Sequence, residues 1–366
     1  MVLETRIVFH IDFDYFYAQC EEIRKPELKS KPVCVCVFSD RGGDSGAIAT
    51  ANYSARKFGV KSGIPIIFAK KMLLDQKDAV FLPVDFDFYK SMSDKGMEIM
   101  KKNADVFEYV GKDEAYLDIT KKVNDDWVEA KNLATKIKRE IKDKLNLTCS
   151  IGISPNKLIS KIASDFQKPD GLTLVSPEKV DEFLEPLKIE EIPGIGKKTG
   201  EIFSQMNFHT IKDLKKLDVF TLHKKFGRKT GTYIFNAVRG IHKEPVKERE
   251  PNLQYSKVMT LKKDSMEFDF LFENIKQLCG EVYQIVLNEN IMFKSIGIQL
   301  IQSDLSNKTK SKTLKNPTLN LEELQKNVKQ LLKDALTDQK ITIRRVGVKV
   351  SELSEIQDQS NITSYF

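Results

Sequence analysis

The sequence predicts an α+β protein of several domains, built around a ferredoxin-like domain with a long insertion after its first strand. Its 366 residues exceed what one ordinary hydrophobic core organises, so we expect roughly two to four domains. Strand and helix patterns follow one another as strand, helix, strand, strand, helix, strand, which is a split βαβ order. The strands are predicted at 7–14, 106–110, 115–119 and 147–153, and the helices at 86–103 and 127–145.

The first predicted strand ends in two carboxylates, Asp12 and Asp14. A helical pattern over residues 15–24 follows directly, and Pro26 stops it. We interpret Asp12 as a metal ligand delivered at the end of the strand. Asp14 could serve the same purpose, but it is also a natural N-cap for the helix, and we assign it that role.

A second pair of carboxylates, Asp113 and Glu114, lies at the turn between the next two predicted strands. Gly111 and Lys112 predict a tight turn or bulge just before the pair. Mg²⁺ prefers carboxylate oxygens, so the pair together with Asp12 predicts a magnesium site. For the pair alone, a solvated acidic turn is the alternative.

The insertion, residues 16–81, contains a β-branched strand at 31–38 and then a glycine-rich loop. Small residues dominate the next run, 47–56. This run predicts either a surface that faces a flat ligand such as a base pair, or close packing of a helix. Tyr53 and Arg56 are three residues apart and would share a helix face, where a hydroxyl and a guanidinium suit a phosphate group.

Short helical patterns fill residues 178–240 and include Ile-Pro-Gly-Ile-Gly-Lys-Lys at 192–198. This stretch predicts a hairpin between two helices. Its glycines would let backbone N–H groups approach an anion, and its lysines add positive charge. The pattern is typical of a helix-hairpin-helix that holds DNA phosphates without reading the base sequence. An ordinary turn between helices is the alternative.

Residues 241–253 are polar with two prolines and predict a linker. Strand and helix patterns alternate again over 254–350, where a strand carries cations at every second position and so on one face. A phosphate-binding surface and a merely solvated sheet edge both explain such a pattern. The cations singled out in this domain are Lys308, Lys310, Lys312, Arg344 and Arg345.

The chain ends in Gln359-Ser-Asn-Ile-Thr-Ser-Tyr-Phe366, a polar stretch closed by an aromatic pair. Acidic and polar residues precede it, which predicts a flexible tail over 351–366. Ile362, Tyr365 and Phe366 would fit a hydrophobic groove of a partner. The alternative is a frayed terminus whose aromatic side chains pack back on the body.

The composition narrows the class of protein. Hydrophobic residues make up 41% and charged residues 30%, and no segment approaches the length of a membrane span, so we expect a cytoplasmic protein without membrane contact. Five cysteines without a CxxC spacing predict free thiols and argue against zinc. A net charge of +7 is compatible with a nucleic-acid partner.

Taken in order, these stretches resemble the Y-family of translesion DNA polymerases, in particular its archaeal DinB-like branch, over nearly all of residues 5–350. No single motif is specific to this family, but the order and spacing of the motifs together are. The tail is similar to a sliding-clamp-binding peptide, with Gln359, Ile362, Tyr365 and Phe366 at its four pattern positions. The motifs in the body are Asp12-Phe-Asp-Tyr-Phe-Tyr-Ala18, Ala49-Thr-Ala-Asn-Tyr-Ser-Ala-Arg56, Asp113-Glu-Ala-Tyr-Leu-Asp118, Lys168-Pro-Asp-Gly171 and Pro193-Gly-Ile-Gly196.

The resemblance implies a template-directed DNA polymerase of low fidelity that adds dNTPs to a primer 3′-OH, bypasses damaged bases and does not proofread. It implies two Mg²⁺ ions, primer–template DNA, dNTP and a sliding clamp as ligands and partners, and a monomeric protein. The domains would be a palm (1–15 and 82–175), fingers (16–81), a thumb (176–240), the linker (241–253), a little finger (254–350) and the tail (351–366).

The resemblance also assigns roles to single residues. Asp12, Asp113 and Glu114 would be catalytic and, with the Phe13 carbonyl, would hold the metals. Tyr17 would be the steric gate against a ribose 2′-OH. The nucleotide site would comprise Tyr15, Phe16, Tyr17, Ala49, Tyr53, Arg56 and Lys168, with Gly46, Ala47 and Ala49 as the roof over the base pair. The DNA contacts would be Pro193, Gly194, Gly196, Lys197 and Lys198, and the five cations of the little finger.

One departure from the family pattern is Gly111-Lys112, where the family has serine and an apolar residue. Two other functions share parts of the pattern. A nucleotidyl cyclase could use a similar carboxylate site, but it would need neither the hairpin nor the basic last domain. A non-catalytic DNA-binding scaffold at the clamp would need no convergent carboxylates.

Overall fold

The computed structural model describes residues 6–337 and 340–356, which belong to two compact units. The first unit comprises Met1–Val37 and Ala47–Arg249, and the second comprises Phe38–Gly46 and Glu250–Phe366. Before residue 240 the elements are, in chain order, β1 (Val8–Phe13), α1 (Phe16–Arg24), β2 (Val33–Phe38), β3 (Gly46–Ala51), α2 (Tyr53–Arg56), α3 (Ile66–Met72), β4 (Val80–Pro83), α4 (Phe86–Lys102), β5 (Val106–Tyr109), β6 (Glu114–Asp118), α5 (Trp127–Leu145), β7 (Cys149–Ser154), α6 (Lys157–Phe166), β8 (Leu172–Leu174), α7 (Val180–Leu184), α8 (Lys197–Gln205), α9 (Ile211–Leu214) and α10 (Val219–Ala237).

The central sheet has the strand order β5-β6-β1-β7-β8. β1 runs antiparallel to both β6 and β7, and β8 is parallel to β7. The four strands β5, β6, β1 and β7 therefore have the ferredoxin-like arrangement that the sequence predicts. Strand β8 was not predicted, because a strand of three residues is too short to show a hydrophobic period.

The alternation of side chains along β1 separates the core from the site. Phe9, Ile11 and Phe13 are fully buried in the core that includes the apolar stripes of α4 and α5. The burial of each such side chain contributes about 1.5–3 kcal/mol. His10 and Asp12 project from the opposite face of the sheet.

Helix α6 crosses that opposite face. Its backbone comes very close to Gly152 of β7, where a Cβ atom would lie 1.9 Å from the carbonyl oxygen of Ser160. The other side of α6 packs into a second core with the helices from α7 to α10. Because α6 packs against both the sheet and this second core, it is a rigid support for the lysines that it carries.

The inserted segment forms a small sheet of order β3-β2-β4. The run of small residues is strand β3 as far as Ala51, and only Tyr53–Arg56 is helical. Close packing of a helix over the whole run is therefore the wrong alternative, because most of it is a strand. Tyr53 and Arg56 do share a helical turn, and the guanidinium lies 4.9 Å from the centre of the Tyr53 ring.

The linker contains no helix or strand over residues 241–253. Its first part is nevertheless fixed to the first unit, because Val246 is buried against Val8 and Tyr116. The backbone N–H of Lys247 also donates to the Glu108 carboxylate at 3.1 Å. These contacts hold residues 246 and 247 of the predicted linker against the first unit.

The second unit contains β9 (Gln254–Ser265), α11 (Phe268–Asn288), β10 (Ile291–Gln302), β11 (Asn307–Thr318), α12 (Leu321–Leu336) and β12 (Ile343–Glu355). Its antiparallel sheet has the order β11-β10-β12-β9, and its core includes residues of both helices. β12 pairs with β10 as far as Glu355, so the tail predicted from residue 351 begins too early. The polar residues at the end of β12 hide the strand in the sequence.

The predicted clamp-binding residues Gln359, Ile362, Tyr365 and Phe366 lie outside the described residues. All five cysteines are buried thiols outside any disulfide bond, as predicted. Across the described residues, no helix is long and apolar enough to span a membrane.

Candidate active site

The carboxylates of Asp12 and Glu114 lie close together because their strands are in register. Asp12 is the direct partner of Glu114 in the antiparallel pair of β1 and β6. Within the described residues, ligand atoms of His10, Asp12 and Glu114 all lie within 4.8 Å of one another. The structure therefore brings together two of the three carboxylates singled out in the sequence, and adds a histidine.

Asp113 lies in the bend that precedes β6, and its carboxylate is not a member of this group. Its carbonyl oxygen accepts a hydrogen bond of 2.8 Å from the N–H of Phe13, which fixes the bend beside the end of β1. Burial and the neighbouring Glu114 raise the pKa of the Asp113 carboxyl. A role for Asp113 as a metal ligand stays a prediction.

His10 was missed in the sequence, although its position two residues before Asp12 places both on one face of β1. It is fully buried between the Ser164 hydroxyl, 2.7 Å from Nδ1, and the Glu114 carboxylate, 3.2 Å from Nε2. Burial lowers the pKa of His10 to about 4, so the ring is neutral near pH 7. A neutral ring that accepts from Ser164 at Nδ1 donates to Glu114 from Nε2.

Two lysines form ion pairs with the carboxylates. The ammonium group of Lys161 lies 2.6 Å from Glu114, and that of Lys168 lies 2.8 Å from Asp12. The hydrogen bond from His10 lowers the pKa of Glu114 to about 2, with Lys161 acting in the same direction. No local pattern in the sequence connects Lys161 with Glu114, because the two residues are 47 positions apart.

Asp12 behaves differently from Glu114. Burial raises its pKa to about 7, and Lys168 opposes this shift only in part. Burial alone would lower the pKa of Lys168, but Asp12 and Asp165 outweigh it and raise that pKa above its ordinary value. A half-buried pair of carboxylates that attracts two ammonium groups is a donor set suited to a hard divalent cation.

The affinity of the site for Mg²⁺ is expected to rise between pH 6 and pH 8. A proton and a cation compete for Asp12, and a carboxyl with a pKa of about 7 is mostly protonated at pH 6 and mostly ionised at pH 8. The dissociation constant, measured by calorimetric titration without substrate, should fall about tenfold over this range. An affinity that is flat with pH would show that Asp12 does not limit cation binding.

The predicted cap, Asp14, has a different role. Tyr15 stands at the N-cap position of α1 with a left-handed backbone (φ 37°) and no side-chain cap. Asp14 is fully buried and accepts hydrogen bonds from the Ser150 hydroxyl (2.8 Å) and the Asp170 N–H (2.9 Å). The cap assignment is wrong because Asp14 instead fixes the loop that carries Lys168.

The predicted nucleotide-binding tyrosines lie at the start of α1 and in α2. The ring of Tyr15 meets the ring of Tyr53 edge-on at 5.2 Å. Among the described residues, the buried hydroxyl of Tyr53 has no hydrogen-bond partner, so it is available to a ligand. Phe16 differs, because its ring is buried against Phe13 and only its backbone could meet a nucleotide.

Side chains alternate between the two faces of β3, so the predicted roof residues do not all lie on the same face. Ala47 and Ala49 share one side of β3, whereas Gly46 lies on the other side together with buried Ile48 and has a φ of 136°.

Lys112 is the departure from the family pattern. Its ammonium group lies 4.9 Å from the centre of the Phe86 ring. A cation–π contact therefore accounts for the position of this lysine.

The hairpin that the sequence predicts is present. Pro193 and Gly194 precede α8, and Gly194 has a positive φ of 86° that favours glycine. Gly196 is the N-cap residue of α8. Lys197 and Lys198 are exposed, and their side chains make no ion pair or hydrogen bond with any part of the chain that the structure describes.

The basic face predicted in the second unit is only partly available. Lys308 and Lys310 donate to carbonyl oxygens at the C-terminal end of α12, those of Ala335 (2.8 Å) and Asp334 (2.7 Å). They face the helices because their strand partners Leu300 and Ile298 belong to the buried face of the sheet. The interpretation of these two lysines as an open phosphate-binding face is therefore wrong.

Helix C-termini attract cations, which explains this position of Lys308 and Lys310. Lys312 is exposed on the same strand face. On the open face of the sheet the structure places Arg345, predicted in the sequence, and Lys349, which was missed. The side chain of Lys349 lies across Gly297, where a Cβ atom would be 3.4 Å from it. Arg344 lies at the register irregularity of β12.

Comparisons with known proteins cover nearly the whole chain. The profile of the impB/mucB/samB family matches residues 11–165, and the profile of its C-terminal domain matches 253–363. The profile of the DNA polymerase-iota thumb domain matches 190–242, which includes the hairpin.

Two curated relatives are DNA polymerase IV proteins of archaea. The protein of Nitrosopumilus maritimus is 71% identical over 364 residues and is matched over 100% of both chains. The protein of Methanosarcina acetivorans is 42% identical, with 98% of this chain and 99% of the relative covered.

Solved structures give the same result. A Y-family DNA polymerase chimera of Dbh and Dpo4 matches with a TM-score of 0.88 at 34% identity, covering 95% of this chain and 99% of the chimera. An insertion ternary complex of Dbh DNA polymerase matches with a TM-score of 0.69 at 35% identity, covering 94% and 98%.

These similarities extend over the whole chain and include the carboxylate site at the end of the ferredoxin-like sheet. The protein is therefore a DNA-directed DNA polymerase of the translesion class. The chain belongs to the Y-family of DNA polymerases, in its archaeal DinB-like branch.

Proposed function

We propose that the protein adds dNTPs to a primer 3′-OH by two-Mg²⁺ nucleotidyl transfer, with the metals held by Asp12, Asp113, Glu114 and the Phe13 carbonyl. The observation that carries the proposal is the register of β1 and β6, which sets the Asp12 and Glu114 carboxylates side by side. Their chemistry suits Mg²⁺, and the two lysines on them show that the site attracts positive charge.

The protein groups act mainly by positioning and by charge. When bound, the two cations lower the pKa of the primer 3′-OH and neutralise the triphosphate and the leaving pyrophosphate. His10 holds the Glu114 carboxylate in one orientation through its hydrogen bond. No buried side chain has to exchange a proton with the substrate, so the proposed rate gain comes from orientation and electrostatic stabilisation.

The nucleotide is proposed to lie between the carboxylates and α2. The unpartnered hydroxyl of Tyr53 and the guanidinium of Arg56 would donate to the triphosphate, together with Lys168. Ala47 and Ala49 would form the roof over the base pair. Their small side chains leave room for a damaged template base, which accounts for lesion bypass.

We assign the predicted palm, fingers, thumb and little finger to the two units, with the little finger extended to Glu355. Lys197 and Lys198 would contact the DNA backbone in the thumb, and Arg345 and Lys349 on the open sheet face of the little finger. That the enzyme does not proofread stays a prediction. The monomeric state and the cytoplasmic location stay predictions.

Single-nucleotide incorporation tests this function. Primer–template duplexes that differ only in the first unpaired template base are incubated with each dNTP in turn, with and without Mg²⁺. The proposal predicts that the complementary nucleotide is favoured on all four templates and that Mg²⁺ is required. Template-independent turnover of nucleotides would favour a cyclase, and DNA binding without incorporation would favour a scaffold.

Deletion of residues 359–366 is expected to remove stimulation by a sliding clamp and to leave single-nucleotide insertion without clamp unchanged. The reason is that a tethered peptide raises the local concentration of polymerase at the primer without touching the active site. The measurement is the product length with and without clamp.

Alanine substitutions at Ile362, Tyr365 and Phe366 provide a variant of unchanged length and should behave like the deletion. Alanine substitution of Ser360 and Ser364 is the matched control and should retain stimulation. If the deleted protein is stimulated as strongly as the full chain, the tail is not the docking segment.

A further inference from the structure

A buried carboxylate in α1, that of Glu22, connects two parts of the proposed nucleotide site that come from different segments of the chain. Glu22 is only 5% exposed. Its Oε2 accepts a hydrogen bond from the Tyr15 hydroxyl at 3.1 Å, and its Oε1 accepts one from the Asn52 side-chain amide at 2.8 Å. Tyr15 is the residue before α1, and Asn52 is the residue before α2. The carboxylate therefore bridges the starts of the two helices.

Asn52 fixes α2 without any help from Glu22. Its Oδ1 accepts from the N–H of Ala55, which caps α2, and from the N–H of Val33 in β2, both at 3.0 Å. Its Nδ2 also donates to the carbonyl oxygen of Lys31 at 2.8 Å. These three bonds keep α2 capped and attached to the start of β2. What the Glu22 carboxylate adds is the connection from α2 to α1.

Helix α2 carries two of the side chains proposed to bind the triphosphate. Tyr53, whose buried hydroxyl has no hydrogen-bond partner among the described residues, follows Asn52 directly. The Arg56 guanidinium lies over the Tyr53 ring, and its Nε donates to the carbonyl oxygen of Ala51 at 2.8 Å. Because both side chains are held close to their own backbone, the position of α2 determines where the two donors meet a phosphate.

The backbone of Tyr15 is in an unfavourable conformation. Its φ of 37° and ψ of 46° lie in the left-handed region, which bulky residues rarely adopt and which persists only where the surroundings enforce it. Two contacts of the Tyr15 side chain do so, the hydrogen bond to Glu22 and the edge-on contact with the Tyr53 ring at 5.2 Å. Tyr15 is therefore connected to α2 both by this ring contact and by the carboxylate bridge.

We propose that Glu22 is a positioning residue for nucleotide binding, which holds the triphosphate donors of α2 in a fixed position relative to Tyr15 and the first turn of α1. The inference rests on the proposed binding of the triphosphate by Tyr53 and Arg56. Glu22 is itself buried, so it acts through Tyr15 and Asn52 rather than on the nucleotide. Donors that are already in place need less ordering when the nucleotide binds, which raises the affinity.

The test is Glu22→Leu, measured by single-turnover insertion over a range of concentrations of the complementary dNTP, with saturating primer–template DNA. Leucine has a similar size but accepts no hydrogen bond. The dissociation constant of the dNTP should rise about tenfold, which corresponds to the cost of ordering one or two side chains. The maximal insertion rate and the affinity for DNA should change little. Glu22→Gln keeps an acceptor for Asn52 and a polar group beside Tyr15, and should restore most of the dNTP affinity.

Arg56→Ala distinguishes positioning from a general loss of packing. If Glu22 acts through α2, Glu22→Leu should add little to the rise in the dNTP dissociation constant that Arg56→Ala produces alone. A general loss of packing would have the same effect in both backgrounds. The matched control is Asn327→Leu, which replaces a buried, hydrogen-bonded side chain of α12 in the second unit and should leave the dNTP dissociation constant unchanged.

Thermal melting checks that each variant is folded. If Glu22→Leu does not fold, Tyr15→Phe takes its place, because it removes one of the two hydrogen bonds and keeps the ring. A dNTP dissociation constant equal to that of the Asn327 control, or an effect that adds in full to that of Arg56→Ala, would overturn the inference. If Arg56→Ala itself leaves the dissociation constant unchanged, the proposed triphosphate site fails and the inference with it, so the two failures are distinguishable.

Discussion

Replacing Glu114 by glutamine is expected to slow nucleotide addition on the order of a thousandfold or more. The substitution keeps the size of the side chain and an oxygen that can accept from His10 Nε2. It removes the charge that pairs with Lys161 and that a cation would bind. A lost metal ligand costs roughly 4 kcal/mol of transition-state stabilisation for a thousandfold effect. Single-turnover insertion with saturating DNA measures it.

The matched control is Asp118→Asn at the other end of β6. Asp118 accepts hydrogen bonds from the N–H and the hydroxyl of Thr120, and lies about 13 Å along the strand from Glu114. It is outside the site, so its replacement should leave the insertion rate nearly unchanged. Binding of primer–template DNA should persist in both variants. Insertion by the Glu114 variant within tenfold of the wild-type rate would refute the metal assignment.

Tyr17→Ala is expected to reduce discrimination against ribonucleotides by about a hundredfold, by removal of the ring that would collide with a 2′-OH. The ring stacks on Tyr89 at 4.5 Å with an interplanar angle of 15°, and its edge meets Phe86 at 6.2 Å. Tyr89 is itself fully buried, so it blocks any movement of the Tyr17 ring away from a ribose. The ratio of kcat/KM for dNTP and rNTP measures the effect.

Tyr17→Phe separates the ring from the hydroxyl. It keeps the stacked ring and should retain most of the discrimination. Equal ratios for the wild type and the alanine variant, with both proteins folded, would make Tyr17 an ordinary packing residue. A loss of discrimination in the phenylalanine variant would show that the hydroxyl, rather than the ring, is responsible.

The sequence was sufficient to predict four of the five strands of the central sheet and the meeting of Asp12 with Glu114. Both follow from local patterns, because a strand that ends in a carboxylate and a turn that carries another are visible in short windows. The strand order then brings the two ends together. The hairpin before α8 was predictable for the same reason, since its glycines and lysines are adjacent in the chain.

The rest of the site depends on tertiary contacts. His10 and Lys161 become part of it only because α6 crosses the sheet at Gly152 and places Ser164 and Lys161 beside β1 and β6. Asp14 looked like a cap, because no local pattern reveals that Ser150 and the Asp170 backbone are its partners.

The lysines of β11 show the same limit. Their period of two was interpreted correctly as one face of a strand, but the sequence did not reveal which face the helices cover. The C-terminal end of α12 covers this face, and its carbonyl oxygens accept hydrogen bonds from the ammonium groups of Lys308 and Lys310.

The most direct test of the central claim is the location of divalent cations in a crystal of the enzyme with primer–template DNA and a non-hydrolysable dNTP. With Mn²⁺ in place of Mg²⁺, anomalous scattering locates the metals independently of the protein coordinates. The account predicts two peaks within about 2.3 Å of oxygens from Asp12, Asp113 and Glu114, with Lys161 and Lys168 no longer paired to Glu114 and Asp12. Peaks elsewhere, or a Lys161–Glu114 pair that persists in the complex, would contradict it.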